Sequence, residues 1–143
     1  MASLPAPVEG LVVRYEYLWA REHDAGRVSS KDRPACVMVV SSMQAGTGAR
    51  RVYLAPITHS EPAPGTPALA LPADEKRRLG LDDLPSWLIL SEVNVDIWPE
   101  GLANAQGAEN GVYGRLSHPL YRQAAERLAA EVRAGTVRRI PRP

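Results

Sequence analysis

Two side chains suited to phosphate chemistry, Arg33 and Thr58, stand at the ends of two apolar runs of strand length, RPACVMVV and VYLAPITHS. A glycine-containing segment joins the runs, which is typical of a β-hairpin with a long loop. Folding this hairpin about Ala45–Gly46 places residue 33 opposite residue 58. Pro34 and Pro56 restrict the backbone beside them. We therefore expect a guanidinium and an alcohol to meet at the open end of the hairpin.

A guanidinium next to a hydroxyl is a natural phosphate-binding pair. The guanidinium can bind two phosphate oxygens at once, and the hydroxyl can donate one further hydrogen bond. The alternative is purely structural: an arginine at the end of a barrel, ion-paired with Asp32, Glu61 or Glu92, and a threonine that satisfies a turn. Paired carboxylates and histidine clusters at metal-ligand spacing are lacking, which argues against a two-metal site. No metal or cofactor is expected.

The elements around this pair are mostly short strands. The alternation from Gly10 to Trp19 predicts a strand, and the polar segment 20–32 that follows predicts a loop of the kind that carries function. Further strands are predicted at 68–71 and 87–98, the second either bent or divided in two. The side chains expected to face inward near its end are Val93, Val95 and Ile97.

Two helices are predicted. The segment 73–81 has acidic residues first, basic residues later and Gly80 as a C-terminal cap. From Ser117, a plausible N-cap, an apolar residue recurs every four positions between Leu120 and Val132. Strands with turns between them and one C-terminal helix predict a mostly β protein: a small, twisted antiparallel barrel with the helix packed on it.

Composition sets the broad class. The 143 residues suit a single domain, with a loose leader at 1–9 and a basic tail at 134–143. The net charge of +1 excludes a uniformly basic surface that coats nucleic acid. The lone Cys36 is expected to be a packed, inert thiol and points to a reducing compartment. Because the sequence has neither the pattern of a secretory signal nor an apolar stretch long enough to span a membrane, the protein is expected to be cytoplasmic.

A family resemblance rests on motifs in a fixed order. GLVV opens the first strand, and RP opens the run RPACVMVV. PIT ends the second strand of the hairpin, and LILSE ends a later strand. In this order the chain resembles, over about residues 10–133, the MazF/PemK/Kid toxins of bacterial type II toxin–antitoxin systems. The resemblance implies an SH3-like barrel that forms a homodimer and cleaves single-stranded RNA, usually mRNA, at short sequences without a metal. An antitoxin with an acidic, flexible tail is the implied protein partner.

The resemblance also implies roles for individual residues. Arg33 and Thr58 match the family's catalytic pair, and Lys31, His59 and Ser60 are expected to line the RNA path. RNA can be cleaved by its own 2′-hydroxyl if the developing charge is stabilised and protons are moved, and His59 or His23 is suited to proton transfer.

The chain departs from the family pattern in its first loop and in WLIL, where Ile89 replaces a basic residue of some members. The alternative prediction is therefore a barrel of the same kind that binds an antitoxin, DNA or gyrase without cutting RNA. A third prediction, a structural or adaptor barrel, would be preferred if RNA failed to bind.

Overall fold

The computed structural model describes residues 6–28, 30–43, 49–98 and 111–142. Eight strands in these ranges form one curled, barrel-like sheet, and a long helix packs on it. The predicted fold class, a small SH3-like barrel with a C-terminal helix, is confirmed. The strands are β1 (Leu11–Glu16), β2 (Asp32–Met43), β3 (Arg50–Thr58), β4 (Ala68–Ala70), β5 (Trp87–Ile89), β6 (Glu92–Trp98), β7 (Val112–Arg115) and β8 (Arg138–Pro141). The helices are α1 (Ala20–Asp24), α2 (Ala73–Leu79) and α3 (His118–Arg133).

Strand β3 is the branch point of the sheet. One of its edges pairs with β2, and the other pairs first with β6 and then with β5, so the sheet divides and curls around this strand. The predicted hairpin register is confirmed at the end near Arg33, where Ala35 pairs with Pro56 and Cys36 with Ala55. A bulge after Val37 shifts the pairing farther along. The predicted turn at 45–46 lies outside the described residues.

Both faces of the sheet are buried. Successive residues of a strand point to opposite faces, and here Val12 and Cys36 pack with Leu128 of α3, whereas Val13 and Val37 join a second cluster on the other face. The predicted Cys36 packing is confirmed, and burial raises the pKa of its thiol well above the ordinary value. The barrel is thus a rigid support for side chains at its rim.

The predicted helices are also found. Gly80 ends α2 with φ of 73°, a left-handed conformation that glycine adopts without strain. In α3, Ala124 and Leu128 of the apolar stripe are buried, whereas Val132 near the helix end is exposed. No helix in the described ranges is long and apolar enough to cross a membrane.

The inward face of β6 differs from the expectation. Val93 is buried, but Val95 and Ile97 are only partly buried. The polar residues Asn94 and Asp96 face the interior instead, with 0% and 7% of their surfaces exposed. The predicted inward position of Val95 and Ile97 is therefore wrong.

Buried hydrogen bonds explain this orientation. The Tyr15 hydroxyl donates to Asp96 Oδ2 at 2.8 Å. The side chain of Asn94 accepts from the Leu18 N–H and donates to the Leu18 carbonyl, both at 2.8 Å. Buried polar groups that are paired in this way avoid the cost of losing water, and these bonds attach the end of β1 to β6.

Two segments predicted as irregular carry regular structure. The segment 20–32 begins with α1, and the expected basic tail forms β8, which pairs in parallel with β6. Ile140 of β8 is completely buried. Arg138 contacts both carboxylate oxygens of Asp24 at 2.9 and 3.0 Å, and Arg142 contacts Glu16 at 2.8 Å. The tail therefore covers an edge of the sheet and holds α1 in place. The leader at 1–5 lies outside the described residues.

Candidate functional site

Two open pockets lie side by side at the rim of the barrel. Pocket A has a volume of about 340 Å³ and is lined by Lys31, Asp32, Arg33, Pro34, Ile57, Thr58, His59, Gly80, Leu81, Asp82, Ser86 and Tyr113. Pocket B has a volume of about 320 Å³ and is lined by Trp19, Arg21, Arg33, Thr58, Ser60, Glu61, Pro62, Ala63, Thr66, Ile89, Ser91 and Glu92. Arg33 and Thr58 are the two described residues that line both pockets. The pair therefore forms the boundary between two adjacent cavities.

The hairpin brings Arg33 and Thr58 to this boundary. Asp32 begins β2, and Thr58 ends β3, its antiparallel neighbour. Across β2 from β3, Arg33 is paired with Tyr15 of β1. The residues that begin β2 and end β3 thus share one end of the sheet, as the sequence predicted.

The guanidinium of Arg33 has no carboxylate partner among the described residues. Asp32, the neighbour that could neutralise it, is paired with Arg14 at 3.1 Å. Arg33 instead stacks over the indole of Trp19, with 5.2 Å between the guanidinium carbon and the ring centroid. Its Nε atom is buried and has no hydrogen-bond partner among the residues that the structure describes. This environment contradicts the structural alternative in which Arg33 is ion-paired at the end of the barrel.

The electrostatic surroundings of Arg33 favour an anion. Burial lowers the pKa of Arg33, Glu22 opposes this effect, and the nearby charge of Arg21 lowers the pKa further. A guanidinium stays protonated despite such a shift. A bound anion would relieve both the desolvation and the repulsion from Arg21.

Thr58 keeps its hydroxyl proton available. The Ser60 N–H donates a hydrogen bond to Thr58 Oγ1 at 3.1 Å, which holds the oxygen in a turn after β3. Because this bond uses only the oxygen as acceptor, the hydroxyl proton can still be donated to a ligand. Thr58 is therefore suited to bind an oxygen of the same anion as Arg33.

His59 is held by a carboxylate that the sequence did not indicate. Its Nε2 lies 3.0 Å from Asp82 Oδ1. Asp82 also accepts hydrogen bonds from Lys76 Nζ and the Leu84 N–H, both at 3.1 Å. Desolvation opposes ionisation of Asp82, but these two bonds and the His59 ring together lower its pKa. An ionised carboxylate thus orients the imidazole at pocket A.

The structure brings most of the predicted site residues together. Lys31 and His59 line pocket A, and Ser60 lines pocket B, on the two sides of Arg33 and Thr58. His23 is exposed on α1 and lines neither pocket. The geometry therefore leaves His59, rather than His23, as the histidine placed for proton transfer.

The sequence did not indicate three residues of the site, Trp19, Arg21 and Asp82. The alternation from Gly10 to Trp19 predicted a strand, but it gave no sign that Arg33 would stack on Trp19. Asp82 lies 23 residues from His59 in a turn-rich segment, so spacing alone could not connect them.

Comparisons with protein-family models, with curated proteins and with solved structures give no match to this chain. The described ranges hold no group of three or more His, Cys, Asp or Glu side chains that could bind a metal ion.

Proposed function

We propose that this protein is a metal-independent endoribonuclease that cleaves single-stranded RNA, and that it acts as the toxin of a type II toxin–antitoxin pair. The observation that carries the proposal is the shared position of Arg33 and Thr58 between two pockets. A phosphodiester bound at this boundary would have one flanking nucleotide on each side. The MazF/PemK-like motifs support the choice of RNA and of the toxin role.

The proposed reaction uses the RNA's own 2′-hydroxyl. His59, oriented by Asp82, accepts the 2′ proton while the 2′ oxygen forms a bond to phosphorus. The bond from phosphorus to the 5′ oxygen breaks, that oxygen takes a proton from water in the open pocket, and the hydroxide left behind takes the proton from His59. Arg33 and Thr58 donate hydrogen bonds to the non-bridging oxygens, whose negative charge grows in the transition state. The products are a 2′,3′-cyclic phosphate and a 5′-hydroxyl end.

The biological setting belongs to the same proposal. The substrate is cytoplasmic mRNA, the protein acts as a homodimer, and an antitoxin with an acidic, flexible tail neutralises it. An acidic tail is chemically suited to Arg33, a guanidinium without a carboxylate partner among the described residues. Lys31 and Ser60 would contact the nucleotides on the two sides of the cleaved bond.

Cleavage of a mixed-sequence RNA in EDTA by the purified protein tests the proposal. We expect Arg33→Ala to lower kcat/KM by about 10²- to 10³-fold, the usual loss when one transition-state donor is removed. Arg122→Ala is the matched control, because Arg122 is exposed on α3 and lines neither pocket. An all-deoxyribose strand of the same sequence should stay intact.

Three results would contradict the proposed function: no cleavage by the wild-type protein, equal cleavage by the wild type and Arg33→Ala, or cleavage of the all-deoxyribose strand. Thermal unfolding of each variant, followed by circular dichroism, separates loss of activity from loss of fold.

A second candidate function is binding without cleavage. Strand β5 has no basic residue, and Ile89, which lines pocket B, has 5% of its surface exposed. Such a barrel would bind an antitoxin, DNA or gyrase through the same rim. Salt-dependent RNA binding without any product in the cleavage assay would favour this candidate.

A further inference from the structure

Pocket B contains a second guanidinium on the same indole as Arg33. The guanidinium carbon of Arg21 lies 4.8 Å from the Trp19 ring centroid, and that of Arg33 lies 5.2 Å from it. Because both distances are measured from one centroid, the two guanidinium carbons are within 10.0 Å of each other. Arg21 and Arg33 both line pocket B. The structure therefore holds two positive charges together on one aromatic support.

Neither guanidinium forms an ion pair with a carboxylate within the described parts of the chain. Glu61 and Glu92 line pocket B with the two arginines, and Glu22 interacts electrostatically with both of them, but Glu92 and Glu22 already accept other hydrogen bonds. Glu92 Oε1 accepts hydrogen bonds from the Tyr17 hydroxyl and the Ala20 N–H, at 3.1 and 2.8 Å. Glu22 pairs with Arg27 at 3.1 Å and also accepts from Ser30 and the Trp19 N–H. Two like charges held close together repel each other, and an anion that contacts both guanidinium groups would relieve this repulsion.

Trp19 is a fixed support rather than a mobile surface ring. Only 6% of its surface is exposed, and it packs edge-to-face against Tyr17 with ring centroids 5.2 Å apart. Its Nε1–H is buried and has no hydrogen-bond partner in the described part of the chain. A buried donor without a partner is costly, so the position of the indole depends on its packing and on the two stacked guanidinium groups.

We propose that Trp19 carries Arg21 and Arg33 as a pair that binds two successive phosphodiesters of one RNA strand. This inference rests on the proposed function, in which Arg33 binds the phosphate that is cleaved. Arg21 then binds a neighbouring phosphate in pocket B and sets the register of the strand. A phosphate that is held but not cleaved contributes equally to ground-state and transition-state binding, so Arg21 affects KM and leaves kcat unchanged.

The test measures binding separately from cleavage. A short, labelled oligodeoxyribonucleotide of mixed sequence, which lacks the attacking 2′-hydroxyl, is titrated at several NaCl concentrations and followed by fluorescence anisotropy. Each phosphate contact on a single strand contributes about 0.7 to the slope of log K against log salt. We expect Arg21→Gln to reduce this slope by about that amount and to weaken binding similarly for all sequences.

Two comparisons make the test specific. Arg122→Gln removes the same charge from an exposed position of α3 that lines neither pocket, and it should keep the wild-type slope. Arg21→Lys keeps the charge and should restore most of the slope lost in Arg21→Gln. Because Arg21 is exposed, neither substitution at this position should unfold the protein. With RNA, Arg21→Gln should raise KM and leave kcat at its wild-type value.

The outcomes separate this inference from the proposed function. If the wild type binds and cleaves but Arg21→Gln keeps the wild-type slope and KM, the two-phosphate inference is overturned and the endoribonuclease proposal stands. If the slope falls as expected but no RNA is cleaved, the subsite stands and the proposed catalysis fails. If the wild type does not bind the oligonucleotide at any salt concentration, the two-phosphate inference is overturned, and the RNA cleavage assay alone decides the proposed function.

Discussion

His59 Nε2 lies 2.8 Å from Asp82 Oδ2, which joins the residue after β3 to the turn that follows α2. Asp82 is also paired with Lys76, a lysine with 4% of its surface exposed. The buried cation keeps the carboxylate ionised and in place, and the carboxylate in turn orients the imidazole. When Nε2–H donates to Asp82, Nδ1 keeps a lone pair that can accept a proton.

This arrangement predicts that His59→Gln lowers kcat/KM by about 10²- to 10⁴-fold, the usual contribution of a general acid or base. Asp82→Asn should cause a smaller loss, because the imidazole remains but is less well oriented. The measurement is the pH profile of kcat/KM, from which His59→Gln should remove one limb. Asp83→Asn is the control, because Asp83 is exposed and its substitution removes the same charge one residue away. Wild-type rates and pH dependence in His59→Gln would refute the proton-transfer role.

Trp19→Phe tests whether the indole positions Arg33. The smaller ring should loosen the stacked guanidinium, and a displacement of about 1 Å at a reacting group can cost up to about 10²-fold in rate. We expect kcat to fall, and we expect the oligonucleotide affinity to fall as well, because Arg21 lies on the same indole. Trp98→Phe is the matched control, because 3% of the Trp98 surface is exposed and its indole lies in the same packed cluster. If both variants lose the same stability and the same activity, the role of Trp19 is structural only.

The stability of the fold should decrease at alkaline pH. Burial raises the pKa of Tyr121 to about 12, with a further contribution from Glu9. Below about pH 10, the ordinary tyrosine value, both folded and unfolded chains keep the proton, so the stabilisation is fully present. Above it the unfolded chain loses the proton first, and the stabilisation is lost as the pH rises through about 12. Tyr15 and Tyr17 have raised pKa values for the same main reason, burial, and act in the same direction.

Tyr121→Phe should therefore make the free energy of unfolding less dependent on pH above 10. Because the hydroxyl is only partly buried, the change in slope should stay below the one-proton limit of about 1.4 kcal/mol per pH unit. Urea unfolding at a series of pH values measures it. At neutral pH the variant loses the hydrogen bond that Tyr121 donates to the Met38 carbonyl. An unchanged slope above pH 10 would contradict the assignment.

Strand β8 should contribute to stability through Ile140. This side chain is completely buried, and Ile140→Ala should lower the free energy of unfolding by about 2–5 kcal/mol, as for other large-to-small core changes. Arg139→Ala, one residue earlier and exposed, should change it by less than about 0.5 kcal/mol. Urea denaturation compares the two. Equal midpoints would show that β8 is dispensable for the fold.

The features that could be predicted are those encoded by neighbouring residues. Alternation and the two prolines predicted the hairpin that places Arg33 beside Thr58, and the spacing of Ala124 and Leu128 predicted the buried stripe of α3. The prediction of the inward face of β6 was wrong because Asn94 and Asp96 face inward. Hydrogen bonds to partners more than 70 residues away stabilise this orientation. Hydrophobic periodicity cannot anticipate such buried pairing.

By itself, the sequence determined the class of fold and the register at the open end of the hairpin. It also identified Arg33 and Thr58 as the pair at that end. Local periodicity and turn chemistry act within one hairpin, so they could specify these features. Only the tertiary structure decided that Arg33 would lack a carboxylate partner within the described ranges, stack with Arg21 on Trp19, and lie near a His59 held by Asp82. Those relationships depend on how separate elements pack together. Coulomb and stacking interactions depend on distances in space, and the spacing of residues along the chain does not specify those distances.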